Sequence, residues 1–588
     1  MRAVFDTVVL GGELIDGSGV PRRHADLGIS GGLVGHIGPP GSLSRSDGTS
    51  SVDASGLVAC PGFIDIHTHL DAQILWDPSC TPSPLHGVTT VVGGNCGFTI
   101  APISSASVPY LRGMLGRVEG IPIEALEQGP TWDWESFGDY LARVDRGMAL
   151  NAGFLVGHST LRRLVMGERA VGSPATADDL TRMRNLLGEA LDAGALGFSS
   201  SWSRTHQDAN GDPVPSRSAD AHELVYLSEE LRRHPGTTVE FIPNVASREP
   251  FDQGHLDVMT EMSLAAGRPL NWNILLVTKD NIDLVRHQLS ASDHAAARGG
   301  AIFALALPDL MHVRYTFLSG FGLDTFPGWA RPMALAPDEK IAFLSDPARR
   351  SELEAGAASQ SRTWTWGDLV LSEGFSSSTR GDEGRRIGEI AADTGRSPFD
   401  VVCDAVVADR LRTVLMPPAA GDDADSWGLR GEIWRDPRVV LGASDTGAHL
   451  DMLSTFNFPT AFLGHHVRDK GLMSLEEGVH RLTQVQARLY GISGRGHLTD
   501  GAHADIVVFD PDEIGPEVVH TRQDLPGGAS RLYGEARGIH HVLVNGAEVV
   551  RAGALTGELP GTLMRSGRDT HTVDVPGRAP AREMETRS

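Results

Sequence analysis

The stretch that decides the fold is PGFIDIHTHLD at residues 61–71, a short apolar run that ends in two histidines. A run of this length and composition is typical of a buried strand. On a strand, residues two apart point to the same face and lie about 6–7 Å from each other. His67 and His69 can therefore converge on one ion where the strand ends. A histidine pair alone is a weak signal, so its place in the chain decides its meaning.

Further apolar runs follow this one, and most are preceded by a helical pattern. The eight runs are GFIDIHTH, GVTTVVGGNCG, ALNAGFLVGH, GALGFSSS, TTVEFIP, LNWNILLV, GAIFALAL and RVVLGASD. Buried strands that alternate with helices predict an α/β fold, a (β/α)8 TIM-like barrel over residues 61–500 with its active site at the carboxyl ends of the strands. Residues near 315–384 have weak periodicity and predict an insertion over the barrel mouth.

Both ends of the chain differ in texture from the middle. Residues 1–60 contain short β-branched runs separated by glycine, and residues 501–560 repeat this pattern, with Asn545-Gly546 as a hairpin signal. We expect the two ends to build one small β-sandwich domain into which the barrel is inserted. Residues 561–588 are polar and aperiodic and predict a loosely ordered tail.

The composition excludes several classes of function. The chain has 588 residues with 51 basic and 75 acidic side chains, which give a formal net charge of −24. Its only lysines are Lys279, Lys340 and Lys470, so no basic stripe is available for nucleic acid or an anionic membrane. Four cysteines without a C-x-x-C pair, and a start without a signal-peptide pattern, predict a cytoplasmic protein.

A carboxylate follows the eighth predicted strand, where Ser444-Asp445 comes directly after RVVLGA. A buried carboxylate is costly unless it meets a cation or a proton. His67, His69 and Asp445 together therefore describe a hydrolytic metal centre. In such a centre the metal activates a water molecule and Asp445 carries the proton.

The motifs PGFIDIHTHLD, GVTTVVGGNCGF, VGHSTLR, GASD and RGHLTDGAHADIVVFD resemble the amidohydrolase superfamily, in particular its N-acyl-D-amino-acid deacylase (D-aminoacylase) branch. The likeness is strong around His67–Cys96 and Gly442–Asp510 and poor over residues 200–435. It implies a barrel inserted in a small β domain and zinc-dependent hydrolysis of an acyl amide, with one or two divalent ions. It also implies that Cys96 binds the metal as a thiolate, the alternative being a buried, inert cysteine.

The chain departs from this family at two points. Most amidohydrolases bridge two metals with a carboxylated lysine at the end of strand four, but this chain has no lysine before Lys279. The deacylases have further histidine ligands at the ends of strands five and six, where this chain has Glu240 and Asn273. Glutamate can bind zinc through oxygen, whereas asparagine is a poor ligand. We expect Glu240 to be a ligand or a metal-oriented carboxylate, and the second metal site to be altered.

Other polar residues are candidates for the substrate site. His158 follows the third strand and is expected to stabilise the oxyanion of the reaction, with a satisfied core histidine as the alternative. His206 and His449 are candidates to reach the mouth, although loop histidines are usually solvated. Arg204, Arg217 and Arg314 are candidates to pair with a substrate carboxylate.

We therefore expect a zinc-dependent hydrolase that cleaves the amide bond of an N-acyl amino acid, a small-molecule substrate. The same metal chemistry on a cyclic amide, carbamate or lactone stays open because of Glu240 and Asn273. A barrel that binds without catalysis is the third hypothesis. The oligomeric state stays open, a homo-oligomer included.

Overall fold

Eight parallel strands form the central sheet of the molecule. The computed structural model describes residues 4–245, 249–320, 322–359 and 364–577. The strands, numbered β1 to β8 in chain order, are Phe63–Asp65, Val88–Gly93, Asn151–Gly157, Gly197–Ser201, Thr238–Ile242, Leu270–Leu275, Ile302–Ala306 and Val439–Leu441. Each strand pairs in parallel with the next. A bridge between Thr68 and Thr446 joins the segments that follow β1 and β8. The predicted (β/α)8 barrel is confirmed.

Helices lie between and around these strands. They span Val108–Val118, Ile123–Gln128, Phe137–Val144, His158–Met166, Ala177–Asp192, Ala221–Ser228, Gln253–Ala266, Ile282–Ala297, Ala330–Met333, Pro337–Ser345, Pro347–Ala358, Ile387–Thr394, Pro398–Ala408, Ala424–Ile433, Phe458–Ala461, Leu475–Leu482 and Gln484–Tyr490, with a π-helix at Phe462–Asp469. Their ends follow local sequence: the side chain of Thr176 accepts the N–H of Asp179 at the start of Ala177–Asp192. Among the described residues, no helix combines the length and apolar character needed to cross a bilayer.

Strands from both ends of the chain form a second sheet of nine strands. These strands are Phe5–Leu14, Arg23–Ser30, Leu33–Gly38, Gly48–Asp53, Val58–Pro61, Ile506–Phe509, Ile539–Val544, Ala547–Arg551 and Ala554–Leu555. Val58–Pro61 pairs antiparallel with Ile506–Phe509, so the two ends meet inside one sheet. Because Val58–Pro61 leads directly into β1, this sheet anchors the strand that precedes the two histidines.

The chain between β7 and β8 forms an insertion with a hydrophobic core of its own, in which Phe317, Trp329 and Phe399 are buried. It includes a two-stranded sheet in which Val370–Glu373 pairs with Val414–Met416. The insertion was expected near 315–384, but it continues beyond residue 384. Phe399 packs in the same core as Phe317 and Trp329.

Residues 561–577 run across the amino ends of the barrel strands. The N–H of Gly561 donates to the carbonyl of Met148 at 2.7 Å, just before β3, and Leu563 is buried. Further hydrogen bonds reach residues that precede β4, β5 and β7, namely Gly194, Gly236 and Gly299. The predicted loose tail is therefore wrong over residues 561–577, because backbone pairing and apolar burial hold this stretch on the barrel. Residues 578–588 of that prediction lie outside the described part of the chain.

Candidate metal centre

Four side chains with metal-binding atoms meet at the carboxyl ends of the barrel strands. His67 and His69 follow β1, Cys96 follows β2, and Asp445 follows β8. One ligand atom from each lies within 4.8 Å of the others. The two histidines and Cys96 are buried, whereas the Asp445 side chain is 26% exposed. The group is thus enclosed by protein and reached from solvent on the side of Asp445.

Four of the six distances between these atoms are close to those of a tetrahedral site. His67 Nε2 lies 3.0 Å from Asp445 Oδ1 and 3.3 Å from Cys96 Sγ. His69 Nε2 lies 3.5 Å from Asp445 Oδ1 and 3.6 Å from Cys96 Sγ. With metal–nitrogen and metal–oxygen bonds near 2.0 Å and a metal–sulfur bond near 2.3 Å, tetrahedral angles place ligand atoms about 3.3–3.6 Å apart. The residues present therefore fit a divalent transition metal.

The backbone holds Cys96 in a conformation that residues with a β-carbon rarely adopt. Its φ is 61°, which costs about 1–2 kcal/mol. Side chains of neighbouring strands hold it there: the N–H of Cys96 donates to Glu240 Oε2 at 3.0 Å, and the N–H of Gly97 donates to Ser199 Oγ at 3.0 Å. Strain that the surrounding structure maintains is typical of functional sites.

Asp445 is held in place by contacts with the segment around β1. The hydroxyl of Ser444 donates to Asp65 Oδ2, and the N–H of His69 donates to the carbonyl of Thr446 at 2.7 Å. Burial alone would raise the pKa of Asp445, but hydrogen bonds and charges from the two histidines hold that pKa well below its ordinary value. Asp445 is therefore an ionised carboxylate at neutral pH.

More buried carboxyl groups surround these ligands, namely Asp65, Asp71, Glu119 and Glu240. Burial raises the pKa of Asp65 and of Asp71 to about 7, and the pKa of Glu240 to about 8. So many acidic groups in a low-dielectric site are costly without a compensating positive charge. A divalent cation held by His67, His69, Cys96 and Asp445 would supply that charge.

Glu119 is a site residue that the sequence analysis missed. Its Oε2 lies 3.5 Å from His69 Nε2, and its side chain is 3% exposed. It follows the helix Val108–Val118 instead of a barrel strand, so no strand-end pattern marks it. At the neighbouring Gly120, φ is 58° and an added β-carbon would lie 3.2 Å from the Cα of His449, so tertiary packing brings this segment to the centre.

Glu240 and Asn273 lie beside the four-atom group and outside it. Glu240 is on β5, and its Oε1 accepts a hydrogen bond from Nδ2 of Asn273 on β6. Its other oxygen, Oε2, accepts the N–H of Cys96. Of the two roles expected for Glu240, this geometry favours a carboxylate next to a ligand over a ligand itself.

His158 lies in a buried polar network. Its Nδ1 lies 2.8 Å from Ser200 Oγ, and its Nε2 lies 2.8 Å from Glu223 Oε1. Glu223 also pairs with the buried Arg162. Both ring nitrogens are therefore used within the protein, and the side chain is 0% exposed. The expected oxyanion role of His158 is wrong, and its alternative, a satisfied core histidine, holds.

The other expected substrate residues divide into two groups. His206 and His449 lie near the centre. Burial lowers the pKa of His206, and the charges of His449 and Asp445 also act on it. Arg204 is exposed in the loop that follows β4. Arg314 is buried and donates through Nη1 to Glu373 and through Nη2 to the carbonyl of Val519. Its expected role as a substrate ligand is wrong, because these contacts join the insertion to the C-terminal segment.

Comparisons with known proteins agree with this architecture. The model described as "Amidohydrolase family" matches residues 51–550. The D-aminoacylase of Alcaligenes xylosoxydans xylosoxydans is 30% identical over 571 residues, which cover 95% of this chain and 97% of that protein.

Two solved structures are similar over nearly the whole chain. A D-aminoacylase described with a binuclear metal centre has a TM-score of 0.62 and 27% identity, covering 95% of this chain and 100% of that one. The N-acyl-D-glutamate deacylase of Bordetella bronchiseptica has a TM-score of 0.63 and 26% identity, covering 96% and 100%. That enzyme was solved with zinc and a phosphonate inhibitor that mimics the tetrahedral intermediate of its reaction.

The network around His158 leads to a prediction about stability. Glu223→Gln removes the charge that compensates the buried guanidinium of Arg162, so we expect the free energy of unfolding to fall by about 3 kcal/mol. Urea denaturation followed by circular dichroism measures this change. The matched control is Glu229→Gln, since the Glu229 side chain is 54% exposed in its pair with Arg184; we expect a change below about 1 kcal/mol there. Equal losses in both variants would contradict the structural role.

Proposed function

The chain belongs to the amidohydrolase family, and on that premise we propose that it is a metal-dependent hydrolase of N-acyl amino acids. The bond that breaks is the carbon–nitrogen amide bond between the acyl group and the amino acid. The proposal extends to zinc as the metal and to D-amino acids as the class of substrate. It is supported by the names of similar proteins, a D-aminoacylase and an N-acyl-D-glutamate deacylase, which match this chain over nearly its whole length.

The observation that supports the proposal most directly is the four-atom group. His67, His69, Cys96 and Asp445 offer two nitrogens, a sulfur and an oxygen within 4.8 Å of one another. This donor set suits zinc, whereas magnesium and calcium prefer oxygen ligands. When bound there, zinc supplies a Lewis acid that polarises the amide carbonyl and lowers the pKa of water to about 7.

Asp445 is the residue to which we assign proton transfer. Its Oδ1 faces both imidazoles, so Oδ2 is the oxygen that can meet the attacking water. As an ionised carboxylate it accepts the proton from this water and then donates it to the nitrogen of the leaving amine. The segment of Asp445 is held by its neighbours, since the Ser444 hydroxyl donates to Asp65 Oδ2 and the His69 N–H donates to the Thr446 carbonyl, and these contacts fix the direction of the carboxylate.

The carboxylate of the substrate has a candidate partner near His206. Arg204 is exposed in the loop that follows β4, and burial together with the charge of Arg204 lowers the pKa of Arg217. Arg217 Nη1 in turn donates to the carbonyl of His206 at 2.9 Å. An arginine pairs with a carboxylate through two parallel hydrogen bonds. A cluster of this kind favours an N-acyl amino acid over a lactone or a cyclic amide without a free carboxylate.

Removal of the proton carrier gives the first functional prediction. Asp445→Asn cannot accept a proton, so we expect kcat for an N-acetyl-D-amino acid to fall by about 10²–10⁴-fold with the fold unchanged. Steady-state hydrolysis and circular dichroism of the zinc-loaded protein measure the two quantities. Asp500→Asn, at an exposed aspartate, is the control and should keep wild-type turnover. Wild-type turnover in Asp445→Asn would remove this residue from the mechanism.

A panel of substrates tests the reaction class. We expect N-acetyl-D-amino acids to be hydrolysed faster than their L enantiomers, and a hydantoin and a lactone to remain intact. Dialysis against a chelator should abolish the hydrolysis, and added zinc should restore it. Faster turnover of the hydantoin or the lactone than of every N-acyl amino acid would replace the linear amide by a cyclic substrate.

A further inference from the structure

A second metal ion beside the first would need a second set of ligands. Two-metal hydrolase sites hold their ions about 3.5–4 Å apart. Within the part of the chain that the structure describes, His67, His69, Cys96 and Asp445 form the one group of three or more such residues whose ligand atoms lie within 4.8 Å of one another. Glu119 adds a single carboxylate next to His69, which is too few ligands for another ion.

Glu240 is hydrogen-bonded to the backbone of Cys96, and both of its carboxylate oxygens accept hydrogen bonds. Oε2 accepts the N–H of Cys96 at 3.0 Å, and Oε1 accepts the side-chain amide of Asn273. Neither oxygen belongs to the four grouped ligand atoms, and each already accepts an N–H group of the protein. Because Glu240 is 0% exposed and Asn273 is 3% exposed, these buried N–H groups depend on the carboxylate for their hydrogen bonds.

The barrel register keeps Asn273 in this position. Glu240 on β5 pairs with Ser199 on β4 and with Asn271 on β6. Asn273 lies two residues beyond Asn271 and therefore on the same face of β6. Its NH₂ group faces the carboxylate, because two oxygens facing each other would repel. At this point β6 thus contributes a hydrogen-bond donor in place of a metal ligand.

The contacts of Glu240 bear on the thiol of Cys96. The N–H groups of Cys96 and of Gly97 are held by Glu240 and by Ser199, which are register partners on adjacent strands. Fixing both peptides fixes the direction of the Cα–Cβ bond between them. Cys96 Sγ is thereby kept 3.3 Å from His67 Nε2 and 3.6 Å from His69 Nε2.

We propose that this centre holds one divalent transition-metal ion, and that Glu240 and Asn273 are a positioning pair that fixes Cys96 instead of binding a second ion. The inference rests on the proposed function, because it takes the metal centre as given. It concerns the number of bound ions and the positioning role of Glu240 and Asn273. Neither depends on which substrate the enzyme hydrolyses.

The number of ions can be counted directly. Metal-free full-length protein is titrated with Co²⁺, and bound cobalt is measured by equilibrium dialysis and elemental analysis. We expect saturation at one equivalent, with the near-ultraviolet thiolate-to-cobalt charge-transfer band rising in step and then levelling. Cys96→Ser should lose this band, which assigns it to Cys96. Saturation at two equivalents in the wild-type protein would overturn the inference.

Two variants test the positioning role separately. Glu240→Gln weakens the acceptor for the Cys96 N–H, and Asn273→Ala removes the donor that orients Glu240. In both we expect one equivalent of Co²⁺, a dissociation constant raised about 10–100-fold and a weaker or shifted charge-transfer band. Glu127→Gln, at an exposed glutamate, is the matched control and should behave as the wild type. Wild-type affinity and an unchanged band in both folded variants would contradict the positioning role.

Failure of this inference can be told apart from failure of the proposed function. The titrations contain no substrate, so inactivity toward N-acyl amino acids would reject the function and leave the count of one ion intact. Two bound ions in an active deacylase would reject the count of one ion and leave the proposed function intact.

Discussion

The structure depends on the acidic charge that the barrel mouth concentrates in a buried place. Asp445, Glu119 and Glu240 lie around two imidazoles and a thiol, and burial raises the pKa of the Glu119 and Glu240 carboxyl groups. Such a cluster is costly in a medium of low dielectric constant unless a cation enters it. The two imidazoles, the thiol and Asp445 place four ligand atoms within 4.8 Å of one another, so the requirement for charge compensation and the capacity to bind a metal coincide. The chemistry proposed for this protein follows from that coincidence.

The architecture assigns a separate task to each part of the chain. The carboxyl ends of β1, β2 and β8 bring the ligands together, and side chains on β4 and β5 hold the loop that contains Cys96. Residues 561–577 cover the opposite end of the barrel, away from the four metal-binding residues. The insertion between β7 and β8 is tied to the barrel by the ion pair of Asp324 with Arg117 at 2.5 Å. Because Arg117 lies on the helix that precedes Glu119, the insertion also contacts the element that brings this carboxylate to the centre.

The barrel and the placement of His67, His69 and Asp445 could be predicted because strand periodicity and strand ends are local features of the sequence, whereas Cys96 was predicted from the resemblance to the deacylases. His67, for example, follows a short apolar run, and its position at the end of that run already indicates the mouth of a barrel. His158 also follows a strand, yet its nitrogens turn to Ser200 and Glu223, and no local pattern records such partners. Glu119 escaped prediction for the opposite reason, since it follows a helix and reaches the centre only through tertiary packing. Side-chain direction and remote partners therefore set the limit of what the sequence could predict.

The account is tested most directly by zinc K-edge X-ray absorption of the reconstituted protein. Ligation by His67, His69, Cys96 and Asp445 predicts one sulfur neighbour at about 2.3 Å together with nitrogen and oxygen neighbours at about 2.0–2.1 Å. Cys96→Ser should lose the sulfur neighbour and keep the others. A zinc environment of nitrogen and oxygen alone in the wild-type protein would contradict the centre described for this barrel.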